Sequence, residues 1–278
     1  VLRLAERLNA GGDLSEEGAD DLVRAVAAAK KSARKLGCED LMAFATSAVR
    51  DAGNAAEVLA RVHDETGVEL RVLTGTDEAR LTFLAARRWL GWSAGNLLVL
   101  DIGGGSLEVA MGVDEEPAYA RSVPFGAGRL TRERFTSDPP SRGEVTETAE
   151  WLAEQLAPVG KKLAKQGVPD RVVGTSKTFR SLARLTGAAP SSVGPRVRRV
   201  LTEPGLRQLI AFISRMPAAD LAELEGVSQG RAPQLVAGAL VARAAMLAVG
   251  VPELEICPWA LREGVILRRL DRVDGEDS

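Results

Sequence analysis

The residues with most chemistry to offer stand together in Leu97-Leu-Val-Leu-Asp-Ile-Gly-Gly-Gly-Ser-Leu-Glu-Val-Ala-Met111. An apolar run ends in the carboxylate Asp101. Three glycines (Gly103, Gly104, Gly105) and Ser106 follow, and a second acid, Glu108, comes two residues later. Consecutive glycines let a backbone turn sharply and lay its N–H groups against an anion with no Cβ in the way. Leu107, Val109 and Met111 alternate with Glu108 and Ala110, a period of two that reads as a strand and not a helix. Rossmann and Walker phosphate loops need a helix there, and neither spacing is present. The same period puts Ser106 and Glu108 on one face, so a phosphate cradle would lie between two acids able to hold a divalent cation. Without a ligand, the segment is a tight glycine hairpin.

Two more segments share the grammar of strand, small polar residues, then turn or helix start. They are Ala45-Thr-Ser-Ala-Val-Arg-Asp-Ala-Gly-Asn54 and Gly174-Thr-Ser-Lys-Thr178. Each sets hydroxyls and N–H groups at the carboxyl end of a strand, where open α/β sheets bind ligands and helix N-termini favour anions. Either loop alone is ordinary N-cap chemistry; three in one chain point to a phosphate-rich ligand. Glu78, in Thr74-Gly-Thr-Asp-Glu-Ala-Arg80, follows an N-cap candidate, Thr76, and by sequence alone serves the helix dipole.

Composition narrows the chemistry. The single histidine, His63, sits on an amphipathic stretch, Ala55 to Thr66, and reads as a surface residue. One histidine excludes a metal phosphohydrolase of the His-Asp type, a histidine-rich zinc site and a Ser-His-Asp triad. Catalysis would rest on carboxylates, backbone dipoles and a hard metal. Cys38 and Cys257 are too few and too far apart for a disulfide scaffold or a zinc site, and read as buried free thiols in a reducing compartment. Lys plus Arg (36) nearly cancels Asp plus Glu (38), so net charge indicates neither a nucleic-acid nor a membrane-surface partner. With no run of eighteen apolar residues and no signal peptide, the expectation is a soluble cytoplasmic protein.

At 278 residues, two domains are expected. Helices are expected from Ser15 to Gly37, around His63, from Asp77 to Leu90, Glu144–Gln166, Glu203–Arg215, Gln229–Val249 and Trp259–Leu270. Strands are expected at Leu41–Ala45, Leu70–Leu73, Leu97–Leu100, Leu107–Met111, Glu116–Val123, Arg171–Val173 and Glu253–Cys257. Gly91–Asn96 reads as a hinge or boundary, and Asp274–Ser278 as a frayed acidic tail. Strands alternating with helices give an α/β class.

Six segments in order carry a resemblance: Ala45 to Asn54, Leu73-Thr-Gly-Thr-Asp-Glu-Ala-Arg-Leu81, Leu100 to Glu108, Gly126-Ala-Gly-Arg-Leu130, Gly174 to Thr178, and Leu261-Arg-Glu-Gly-Val265. Together, over nearly the whole chain, they resemble the exopolyphosphatase and guanosine pentaphosphate phosphohydrolase family. That resemblance implies an actin-like fold of two RNase H-like domains flanking a cleft. Domain I would be residues 1–93 plus the closing helix within 258–278, and domain II residues 94–257. It implies Glu78 as general base, Asp101 and Glu108 as ligands of Mg²⁺ (or Mn²⁺), and Gly103, Gly104, Gly105 and Ser106 as a phosphate cradle. Arg50 and Asn54 would bind phosphate, as would Ser176 and Lys177 of the second-domain loop; a glycine is usual at the lysine's position. The family's opening Asp-x-Gly-Ser-Asn loop has no match. Leu2-Arg-Leu-Ala-Glu6 resembles the segment that follows it, so the expectation is that the loop lies outside this sequence. The resemblance is to the short form of the family, so the expectation is a chain without the extra C-terminal helical domain of the long form.

The reading is a Mg²⁺-dependent exopolyphosphatase. Its partner would be inorganic polyphosphate or a guanosine polyphosphate, with no nucleic acid, no membrane, and a homodimer left open. Arg196-Val-Arg-Arg199 and Arg129, Arg132 and Arg134 are candidates for a basic path. The alternatives are guanosine pentaphosphate hydrolysis, a kinase on the same fold, for which no motif for an adenosine pocket or a catalytic acid in domain II is seen, and a non-catalytic sensor of these anions.

Overall fold

The computed structural model of the protein describes residues 2, 4–9 and 11–276. They form two compact units, Val1–Gly75 and Thr76–Ser278. In the first, α1 (Glu16–Lys35) starts on Ser15, whose side chain accepts a hydrogen bond from the Gly18 N–H, with Glu16 and Glu17 complementing the helix dipole. Leu22 and Val26 of α1 share a core with Val58 and Val62 of α3 (Ala55–Thr66). Two short strands, β1 (Ala43–Ala45) and β2 (Leu70–Val72), pair in parallel, and α2 (Ser47–Arg50) leaves the end of β1. His63 lies on the exposed side of α3, as its periodicity indicates.

The second unit opens with α4 (Gly75–Leu90), followed by an antiparallel meander of β3 (Leu97–Ile102), β4 (Leu107–Gly112) and β5 (Tyr119–Val123). Next come α5 (Ala127–Arg134), α6 (Arg142–Ala164), β6 (Arg171–Gly174), α7 (Ser176–Leu185), β7 (Val200–Thr202), α8 (Glu203–Ile213) and α9 (Ala218–Ala222). The unit closes with α10 (Leu235–Val249), β8 (Glu253–Ile256) and α11 (Leu261–Glu276). The sheet order is β5-β4-β3-β6-β8-β7, with β6 parallel to both β3 and β8. A three-strand meander continued by parallel strands is the RNase H-like arrangement expected. The edge strand β7, together with α2, α5 and α9, was not legible in the sequence; each is short, and β7 follows directly on the basic run at Arg196–Arg199.

β3 is central because both its faces are buried. Leu98, Leu100 and Ile102 join the main core with α6 and α10, while Leu97 and Val99 pack with Ala79, Phe83 and Ala86 of α4. A strand covered on both faces reads as a continuous apolar run; its one polar residue, Asp101, stands at the exit. α10 is apolar all round except at Arg243, which pairs with Glu203, and is buried from Leu235 to Val241. By length and composition, residues 232–249 could cross a membrane, although Pro233, Gln234 and Arg243 break the apolar run; 67% of that stretch is buried, as befits a core helix.

The division at Gly75/Thr76 falls short of the 93/94 boundary expected, because α4 packs on the sheet and on α11. Arg88 makes paired hydrogen bonds to Glu115 and to Asp271 of α11, all at 2.7–2.8 Å. Segment 91–96 is not a free hinge. The buried Arg87 guanidinium donates to the Gly95 and Gly112 carbonyls at 2.7 Å, and the Asn96 N–H donates to Asp170 at 2.7 Å. The expected acidic tail is instead helical through Glu276; Asp277 and Ser278 lie outside the described residues. Where α11 crosses α4, Gly264 meets the Leu81 carbonyl with no room for a Cβ. Gly264→Ala should therefore lower stability by about 1–3 kcal/mol, as overpacking does, read as a fall in the denaturant midpoint.

Candidate active site

The glycine loop is oriented by α5. The Ala127 N–H donates to the Gly103 carbonyl at 3.0 Å, and the Arg129 N–H to the Gly104 carbonyl at 2.9 Å. In a trans peptide the C=O and N–H point opposite ways. Turning those two carbonyls toward α5 therefore turns the Gly104 and Gly105 N–H groups away from it, side by side. Neither N–H is spent on another atom of the described residues. Two successive N–H groups aimed alike form an anion cradle. Gly126 completes the brace: a Cβ there would run into the Gly105 and Ser106 backbone.

Beside the cradle lies a cluster of acids. Register places Asp101 of β3 directly opposite Glu108 of β4, and Glu108 opposite Ser122 of β5. Directly opposed residues put their side chains on one face with Cβ atoms roughly 4.5–5.5 Å apart, where like charges repel. Burial, then the charge of Asp101, pushes the Glu108 carboxyl up to about 8; Glu78 adds to the push, while hydrogen bonds with Ser106 and Ser122 oppose it. The Ser122 hydroxyl donates to Glu108 Oε1 at 2.7 Å. The Asp101 carboxyl keeps a partial opening to solvent, yet the surrounding protein pushes it up to about 6. Thr175, Arg180 and Ser176 draw it back down.

Glu78, in the first turn of α4, is buried within electrostatic reach of Glu108, so a residue that sequence alone gives to the helix dipole stands at the cluster. Ser176 begins α7 with φ at +62°, a region a serine enters at a cost of about 1–3 kcal/mol, and hydrogen-bonds Asp101. Lys177, its neighbour, is exposed. Arg50 and Asn54 belong to the first unit. Arg50 donates to the Leu73 carbonyl at 3.1 Å and to Asp51 at 3.0 Å. Asn54 accepts from the Leu14 N–H at 2.8 Å and donates to its carbonyl at 2.9 Å, which makes it a backbone staple. Thr175, in the loop Gly174 to Thr178 that the sequence offered for its hydroxyls, reaches Asp101, while Ser122 and Arg180 are neighbours of the acids that the sequence reading did not single out. Register would have found Ser122, and helical spacing from Ser176 would have found Arg180.

Mg²⁺ is bound through one or two carboxylates and completes its shell with water and substrate phosphate oxygens. Asp101 and Glu108 supply that donor set, and their mutual repulsion is what a cation would relieve. Among the described residues no three His, Cys, Asp or Glu side chains form a protein-only metal cage. The arrangement therefore fits magnesium better than a structural metal.

The model of the Ppx/GppA phosphatase family matches residues 1–273. Exopolyphosphatase 1 of Mycobacterium tuberculosis is 63% identical over 271 residues, covering 98% of this chain and 79% of that protein. The crystal structure of the Aquifex aeolicus member of the Ppx/GppA family superposes with a TM-score of 0.77 at 27% identity, over 97% of this chain and 86% of that one. An exopolyphosphatase structure from Cytophaga hutchinsonii shares the fold, with a TM-score of 0.84 at 23% identity over 95% and 86% of the two chains.

The raised carboxyls carry a pH signature. A group whose folded pKa lies above its unfolded value stabilises the protein fully below the unfolded value, and loses that contribution as pH rises through the folded one. In chelator, stability should therefore decline from about pH 4 as Asp101 ionises near 6 and Glu108 near 8. Glu108→Gln should flatten the upper part of that decline, measured as denaturant midpoint against pH.

Proposed function

Because the chain belongs to the Ppx/GppA phosphatase family, we propose that it is an exopolyphosphatase, hydrolysing the terminal phosphoanhydride bond of inorganic polyphosphate to release orthophosphate. The observation that carries this reading is the pair of aligned N–H groups at Gly104 and Gly105 beside the buried acids Asp101, Glu108 and Glu78. The high identity to proteins called Exopolyphosphatase 1 favours inorganic polyphosphate over guanosine pentaphosphate.

The cradle N–H groups hold non-bridging oxygens of the end phosphate in place, at no cost in reorganisation during the reaction. Glu78 orients the attacking water on the side facing the phosphorus and accepts its proton at a carboxylate oxygen. Thr175 and Ser176 fix the Asp101 carboxylate, and Ser122 fixes that of Glu108. Asp101 and Glu108 would hold Mg²⁺, which supplies neutralisation of the charge on the phosphoryl oxygens. Phosphoryl transfer asks mainly for positioning and electrostatics, so a site without histidine is adequate. Cys38 and Cys257 are free thiols, in keeping with a cytoplasmic setting, although only Cys257 is buried as expected; Cys38 follows the end of α1 and is exposed.

Glu78→Gln keeps the shape and removes the base. Orthophosphate release should fall roughly 10²- to 10⁴-fold with polyphosphate binding little changed; undiminished turnover would return Glu78 to the helix dipole. Asp101→Asn should raise the Mg²⁺ concentration needed for half-maximal activity, since a hard cation prefers charged oxygen. Activity that persists unchanged in chelator would remove the metal from the reading.

A further inference from the structure

Arg180 is a cation without an acid to pair with. It lies in α7, four residues beyond Ser176, and so on the same side of that helix, about 6 Å further along. Long side chains on a helix lean toward its N-terminus, which carries this guanidinium back toward Ser176 and the end of β3, where Asp101 stands. Its surroundings agree. Nη2 donates to the Pro258 carbonyl at 3.4 Å. The neighbouring Cys257, whose N–H donates to the Gly174 carbonyl at 3.0 Å, feels the Arg180 charge, as Asp101 does. The guanidinium therefore stands by the carboxyl ends of β3, β6 and β8, three adjacent parallel strands. Open α/β sheets bind ligands at that end.

That end is short of positive charge. Asp101, Glu108 and Glu78 meet there, and of the groups acting on the two opposed carboxyls Arg180 is the one cation. Even so, it forms no hydrogen bond or ion pair with a carboxylate among the described residues, so a gap separates it from Asp101. Nε is shut off from solvent with no acceptor. Nη2 holds Pro258 loosely, beyond the usual 2.7–3.2 Å, and Nη1 has no acceptor among the described residues. The side chain is half-buried, where a charge acts more strongly than in water. A guanidinium left there without an anion suits phosphate, whose oxygens match its fork of donors.

We propose that Arg180 contacts the substrate, with Nη1 donating to a non-bridging oxygen of the phosphate chain held between the glycine cradle and Asp101. This contact rests on the exopolyphosphatase reading and deepens it. A polyanion brought up to three acids is repelled by them, and Arg180 offsets that repulsion from the β8 side. Holding the Pro258 carbonyl alone would need only a donor, which a glutamine also supplies.

Arg180→Gln keeps a donor and removes the charge, while Arg180→Lys keeps the charge. In saturating Mg²⁺, orthophosphate should raise the thermal midpoint of wild type by binding the folded state. The orthophosphate concentration that gives a set rise should be about tenfold higher for Arg180→Gln and within about threefold of wild type for Arg180→Lys. KM for long-chain polyphosphate should follow the same pattern with kcat within about threefold, as lost uniform binding requires. The contact is overturned by no rise in wild type, by equal titrations of wild type and Arg180→Gln, by a lysine variant as weak as the glutamine one, or by a fall in kcat with KM unchanged. Should Arg180→Gln not fold, the titration of Arg180→Lys decides: binding within threefold supports the contact, and its loss overturns it. If wild type hydrolyses no polyphosphate, the exopolyphosphatase reading fails by itself, and the orthophosphate titrations still decide Arg180.

Discussion

Two carboxylates that repel each other are held face to face, and much of the second unit is arranged to keep them there. Asp101 and Glu108 are opposed because β3 and β4 pair in one register, and a slip of β4 by one residue would send Glu108 to the other face, away from Asp101. That register is hard to lose. Leu98, Leu100, Ile102, Leu107, Val109 and Met111 are buried on the opposite face, and that slip would also carry Leu107, Val109 and Met111 out of the core. Apolar burial on one side of the hairpin thus sustains electrostatic discomfort on the other, as functional sites often require. A cation beside the pair, as proposed, would turn that discomfort into affinity.

The remaining parts of the site depend on helices that grip the sheet at its two ends. α5 fixes the glycine loop by taking its carbonyls, so the direction of the cradle follows from peptide planarity and two hydrogen bonds. α4 carries Glu78 at one end and is anchored at the other by Arg87 and Arg88, the first through backbone carbonyls and the second through acids on both sides. A base built on the first turn of a well-packed helix is positioned more tightly than one on a loop.

How much of this was legible in the chain differs residue by residue. The period-two run after three glycines, the apolar stretch before Asp101 and the isolated, exposed His63 follow from local pattern, and they determined the α/β class and a chemistry without histidine. The ordered series of segments determined the family. These features are written in neighbouring residues, where side-chain alternation and backbone freedom act over a few positions. Only the tertiary structure decided that Glu78, still in the first turn of its helix, comes within reach of Glu108, that Ser122 and Arg180 join the candidate site, and that Asn54 is a staple on Leu14. The physical reason is the same in each case. Their meaning depends on burial and on charges contributed by strands and helices far away in sequence, and a chain's pattern does not carry the sign of a field until the fold brings its sources together.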